Sequence, residues 1–127
     1  MSIEEICKKF GIENYTINDD GSIDVDEYVD LIGSNLTQIP LKFNKVTGDF
    51  YCYDNELTTL EGSPKSVGGD FDCSDNKLTS LEGSPESIGG DFDCNDNQLT
   101  DLKGSPKSVG GDFRCRNNQL TTLEGSP

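Results

Sequence analysis

The sequence of 127 residues contains no histidine and no tryptophan. Without histidine it lacks the side chain most often used as a general base near neutral pH, and the commonest neutral metal ligand. No nucleophile–base pair and no cofactor loop can be assembled from what remains, so an enzyme is the class least expected, and no cofactor is expected. Basic residues are scarce: 10 Lys and Arg stand against 24 Asp and Glu, a net charge of −14. Nucleic acid and anionic membranes are polyanions and therefore poor direct partners, whereas a protein with a basic patch fits. No apolar run is long enough to span a bilayer, and the start MSIEEICKKF lacks the apolar core of a secretion signal. A cytoplasmic protein is expected. Apolar residues make up only 31% of the chain, thin for an ordinary globule, so their placement has to carry the fold.

That placement is periodic. Four copies align on their cysteines: GDFYCYDNELTTLEGSPKSVG from Gly48, GDFDCSDNKLTSLEGSPESIG from Gly69, GDFDCNDNQLTDLKGSPKSVG from Gly90 and GDFRCRNNQLTTLEGSP from Gly111. The period is 21 residues without slippage, so each position stacks on its equivalent in the next copy, as in a solenoid. One step upstream, Val29, Leu31, Leu36 and Ile39 fall where later copies carry Phe, Cys, Leu and Leu, which makes a degenerate first copy from about Glu27 to Thr47. Phe and Cys alternating with a variable residue give the period-two pattern of a half-buried strand, and stacked copies predict a parallel sheet. The Gly- and Pro-containing return EGSPxSVGG is too short for a full α-helix and is expected to be extended or a 3-10 turn. Residues 27–127 are thus expected to form a solenoid of one degenerate and four repeats, the last incomplete.

At this point the wording CSDNKLTSL with a proline-containing return resembles the leucine-rich repeat. It is closest to the short repeats of bacterial effector proteins, and the pattern GGDFxCxxNxLTxLEGxPxSV is similar to repeat proteins found in bacteria and tailed phages. The resemblance covers about Val29 to Pro127. It implies a protein-binding solenoid and, if phage-encoded, a module that sequesters a host defence protein in the host-cell cytoplasm. Phe and Cys stand where two of the usual Leu would be, and an extra Gly lengthens the return.

Residues 1–26 have a different task. Ser2 and Glu5 form a capping-box pattern, and Ile3, Ile6, Cys7 and Phe10 share one helical face that ends at Gly11. YTINDDGSIDVDEYVDL reads as two strands around an Asp-Gly turn. Helix and hairpin together are expected to seal the first coil. At the other end LEGSP stops in mid-repeat without a cap, so the longer protein has been truncated or that end meets a second copy.

Several motifs carry a chemical and a structural reading side by side. Thr16 to Glu27 places Gly21, Ile23 and Glu27 at the sixth, eighth and twelfth positions of a calcium-binding EF-hand loop, with Asn18, Asp20, Asp24 and Glu27 as the ligand set. Thr16 stands where a ligating Asp is needed, so an acidic hairpin turn is preferred. Cys52, Cys73, Cys94 and Cys115 lie one repeat apart without C-x-x-C spacing, and reduced thiols buried as small hydrophobes are preferred over a soft-metal site. Asn55, Asn76, Asn97 and Asn118 are expected to bond turn backbone. Asp49, Asp70, Asp91 and Asp112 are expected to solvate a sheet edge. The Gly pairs precede no helix, which argues for tight corners over a phosphate cradle.

What varies between copies is the set of outward strand positions: Tyr51 and Tyr53, Asp72 and Ser74, Asp93 and Asn95, Arg114 and Arg116. Open sheet faces are where repeat proteins bind, and Tyr and Arg are enriched at interface anchors. The expected function is a non-enzymatic protein-binding module that uses these eight residues. Two alternatives remain: an acidic nucleic-acid mimic occupying a basic groove, and a structural segment of a larger assembly.

Overall fold

The computed structural model describes all 127 residues. It is a parallel-sheet β-solenoid preceded by one short helix, α1 (Ile3–Lys9). Helix α1 forms because its first turn is capped on both sides: Glu5 N–H donates to Ser2 Oγ at 3.1 Å and Ser2 N–H donates to Glu5 Oε1 at 3.2 Å. Acidic Glu4 and Glu5 begin it and basic Lys8 and Lys9 end it, both favourable to the helix dipole. Its Cys7 is buried, and Ile3, Ile6 and Phe10 pack against the core.

Strands β1 (Tyr15–Ile17) and β2 (Ile23–Val25) form the expected antiparallel hairpin, with Thr16 opposite Asp24. Strand β2 also pairs in parallel with β4 (Phe43–Val46). The ladder continues through β6 (Ser66–Val67), β8 (Ser87–Ile88) and β10 (Ser108–Val109), giving a six-stranded sheet. A second, five-stranded sheet stacks β3 (Val29–Asp30), β5 (Phe50–Tyr51), β7 (Phe71–Asp72), β9 (Phe92–Asp93) and β11 (Phe113–Arg114), all parallel. The returns are therefore extended and form a sheet of their own, with a four-residue rung in the degenerate copy and two-residue rungs in those that follow.

Strict register brings like onto like. Val29 pairs with Phe50, Phe50 with Phe71, Phe71 with Phe92 and Phe92 with Phe113. The Phe50, Phe71, Phe92 and Phe113 rings stack with centroids 5.1–5.4 Å apart, each pair adding about 1 kcal/mol beyond its buried area. Cys52, Cys73, Cys94, Leu57, Leu60, Leu78, Leu81, Leu99 and Leu102 fill the rest of the interior, closed on the other side by Val46, Val67 and Ile88. All five cysteines are free thiols. In the last coil the same positions open: Leu123 is 67% exposed where Leu102 is 2% exposed. No helix is long and apolar enough to cross a membrane.

Candidate functional site

From β5 onward, two side-chain ladders bracket the strands of the five-stranded sheet. After the strand, each Asn spans two coils. Asn76 Oδ1 accepts from Leu57 N–H at 2.9 Å, while its Nδ2 donates to the carbonyls of Cys52, Cys73 and Ser74 at 3.0–3.1 Å. Asn97 and Asn118 repeat the pattern, and Asn55 does so with the degenerate copy, bonding Ser34 and Leu36 N–H. The preceding Asp54, Asp75 and Asp96 hold φ of 53–57°, a left-handed turn residue in each coil that Asp tolerates.

Before the strand, the aspartates that the sequence assigns to a solvated edge do structural work. Asp49 Oδ1 accepts from Asp70 N–H, Asp70 Oδ1 from Asp91 N–H and Asp91 Oδ1 from Asp112 N–H, each at 2.8 Å. The glycine before each donor is required for this: a Cβ on Gly69, Gly90 or Gly111 would collide with the carboxylate reaching up from the coil below. The first glycine of each pair is equally confined, since a Cβ on Gly89 would meet the Gly68 carbonyl. The fixed Gly-Gly-Asp word of the repeat was the signal for this ladder.

Between the ladders lies the open face. Tyr51, Tyr53, Asp72, Asp93 and Arg114 are brought together around a shallow hollow of about 280 Å³, floored by Phe71 and edged by Asp70 and Asp91. The two tyrosine rings meet edge to face, 6.0 Å between centroids. The Tyr51 hydroxyl donates to Asp49 Oδ2 at 2.9 Å, and burial together with that carboxylate pushes its pKa up to about 12. Asp72 and Asp93 are direct neighbours in the ladder. Asp72 Oδ1 accepts from Ser74 N–H at 2.9 Å; Asp93 Oδ1 accepts from Ser74 Oγ at 2.6 Å and from Asn95 N–H at 3.1 Å. Burial, with the nearby Asp93 and Asp75 charges behind it, raises the Asp72 carboxyl above its ordinary range despite the Ser74 hydrogen bonds.

The outward exposure expected of Ser74 and Asn95 does not hold. They are 8% and 6% exposed, because these short side chains lie down against the neighbouring coil, where Tyr53 and Arg116 at the equivalent positions reach past it. Ser74 turns to the next coil's Asp93, and Asn95 Oδ1 accepts from Arg116 N–H at 2.7 Å. Arg114 is half-buried and committed to the Asp ladder, with Nη1 3.2 Å from Asp91 Oδ2 and Nη2 3.0 Å from Asp112 Oδ2. Arg116 is exposed at the far end of the face and makes no ion pair within the chain.

The hairpin residues weighed as calcium ligands are spent on the hairpin. Asp20 Oδ1 takes the Ser22 hydroxyl and N–H, which with Lys42 hold its pKa at about 2. Asp24 accepts from Asn44 Nδ2 and Asn18 Nδ2, and the Asn44 bond above all lowers its pKa. Glu27 Oε2 accepts from the N–H groups of Glu13 and Asn14 at 2.8 and 2.7 Å. No group of three or more His, Cys, Asp or Glu converges anywhere as a ligand set. The thiols of Cys73 and Cys94 donate to the carbonyls of Asp93 and Arg114, and burial raises both well above the ordinary thiol range. No family model, no curated protein and no solved structure matches the chain.

Proposed function

We propose that the chain is a non-enzymatic protein-binding module whose contact surface is the open face of the five-stranded sheet. One observation carries this reading: the scaffold positions repeat and are consumed by stacking, while the face positions differ and retain unused chemistry. Tyr51 and Tyr53 present ring surface at one end, Asp72 and Asp93 an acidic centre, and Arg116 a free cation at the other end. Aromatic and Arg anchors around a hollow are the usual energetic centre of an interface. The face is net acidic, since Arg114 is absorbed by its own carboxylates, so the partner carries a basic patch. The resemblance to phage repeat proteins makes a host defence protein the first partner to try.

The test is capture from a cell extract with the immobilised chain and with two variants, Tyr51→Ser/Tyr53→Ser and Arg116→Glu. Arg116 is preferred to Arg114 because replacing Arg114 would also break two ion pairs. A protein bound by the parent chain and lost from both variants, with unchanged circular dichroism, supports the face. Retention by both would refute it. A second reading, nucleic-acid mimicry, is favoured by the exposed column of Asp54, Asp75 and Asp96 at rung spacing. It requires capture to fail in Asp54→Asn/Asp75→Asn/Asp96→Asn and to fall steeply with salt.

A further inference from the structure

We propose that the hollow between the tyrosine pair and the Asp72–Asp93 pair seats an arginine side chain, presented by an extended basic segment of the partner. This deepens the face-binding reading and rests on it. The hollow sits on an unpartnered sheet face, and its chemistry selects the occupant. At about 280 Å³ it lies at the small end of the range of roughly 300–1,000 Å³ typical of ligand pockets, room enough for one inserted side chain.

Asp72 and Asp93 stand on adjacent strands, about 4.8 Å apart along the ladder. Their Oδ1 atoms are fixed by Ser74 and Asn95, which locks both side chains and leaves each Oδ2 without a partner in the chain. Neither makes an ion pair within the chain: Arg114, the rung beside Asp93, turns its guanidinium to Asp91 and Asp112 and acts on Asp93 only through space. Two fixed, adjacent carboxylates match the fork of a guanidinium better than the point charge of an ammonium. The tyrosine rings at the edge offer the plane on which a guanidinium stacks. The raised Asp72 carboxyl reports the same situation from the inside: an ionised group, partly desolvated, whose cost a bound cation would relieve.

A second copy of the chain is a poor occupant. Two bodies of net charge −14 repel, and an antiparallel face-to-face pair would set Asp72 of one against Asp93 of the other. An extended peptide presenting alternate side chains avoids both problems.

The test is a nuclear magnetic resonance titration of the full chain at fixed ionic strength. The probes are a blocked hexapeptide alternating Arg and Gly and its Lys counterpart. The Arg peptide should bind more tightly and shift the amides of β7 and β9. Asp72→Asn/Asp93→Asn should weaken it at least tenfold and Tyr53→Ala several-fold. Asp75→Asn/Asp96→Asn removes the same charge outside the hollow and should weaken it less than twofold. Equal losses in the two double variants would reduce the effect to general attraction and overturn the proposal. So would indifference between Arg and Lys, absence of binding, or self-association seen by sedimentation. If Tyr51→Ser/Tyr53→Ser loses the captured partner while the peptides fail to discriminate, the face stands and the arginine seat falls. If capture survives both that variant and Arg116→Glu, the face itself is wrong.

Discussion

The two corners that flank each strand solve the same problem with different chemistry. Both must satisfy backbone groups that the short strands cannot reach. The corner after the strand is buried and uses asparagine, whose amide accepts one N–H and donates to three carbonyls, as at Asn76. The corner before the strand is partly open and uses aspartate, whose oxygen only accepts, as Asp70 does from Asp91 N–H. A neutral amide can be buried because every one of its atoms is paired. A carboxylate column is tolerable only where water, the Tyr51 hydroxyl at its base or Arg114 at its top reaches the second oxygen. The carboxylates of Asp49, Asp70 and Asp91 are therefore architecture, and those outside the ladder are left over for recognition.

The sharpest way to break that contrast is to put a carboxylate on the wrong side. Cys94→Asp places a charge in the closed interior column and should cost on the order of 4 kcal/mol, seen as loss of the folded circular dichroism signal. A harmless Cys94→Asp would mean that the interior is wetter than the packing shows. Asn76→Ala strands the Leu57 N–H and takes one of two donors from each of the Cys52, Cys73 and Ser74 carbonyls, and should cost about 2 kcal/mol in urea unfolding. On the aspartate side, Gly90→Ala drives a methyl into the Asp70 carboxylate and should cost about 2 kcal/mol. Adding Asp70→Ala should return part of that loss, because the two groups compete for one space.

The mildest probe is pH, since of the two side-chain ladders only the aspartate one titrates. Asp91 has its pKa lowered from 3.8, chiefly by the Asp112 N–H and then by Arg114. A lowered folded pKa contributes stability that is complete above the unfolded value and is lost as pH falls through the folded one. Between about pH 5 and about pH 3, Asp91→Asn should therefore lose less stability than the parent chain. Asp72 and Asp75 are raised and act with the opposite sign, becoming less unfavourable on acidification. An Asp91→Asn chain with the full acid loss would show that the ladder bond contributes nothing.

The solenoid, its period and the asparagine corner were legible because they depend on register alone: a residue type recurring every 21 positions must meet itself. The second sheet was not, because its rungs are two residues long, as in Ser66–Val67, too short for an alternation to show. The aspartate ladder was hidden because like charges in a column read as repulsion. The deciding fact is the space left by glycine, which has no hydrophobic signature. Of the eight face positions, Tyr51, Tyr53, Asp72, Asp93 and Arg114 line one hollow. Ser74 and Asn95 were misjudged as exposed, because variability between copies was equated with accessibility; here it records which coil-to-coil bond each copy uses.

The ladders also give the molecule a mechanical character. Each Asn and each ladder Asp holds a residue about one repeat away, in the adjoining coil, and the core rungs join only neighbours. Pulled from its ends, such a body has no long-range brace to fail all at once. It should yield like a peeled spool, one winding at a time. Each 21-residue winding would pay out about 70 Å of chain and leave the next as the new exposed end.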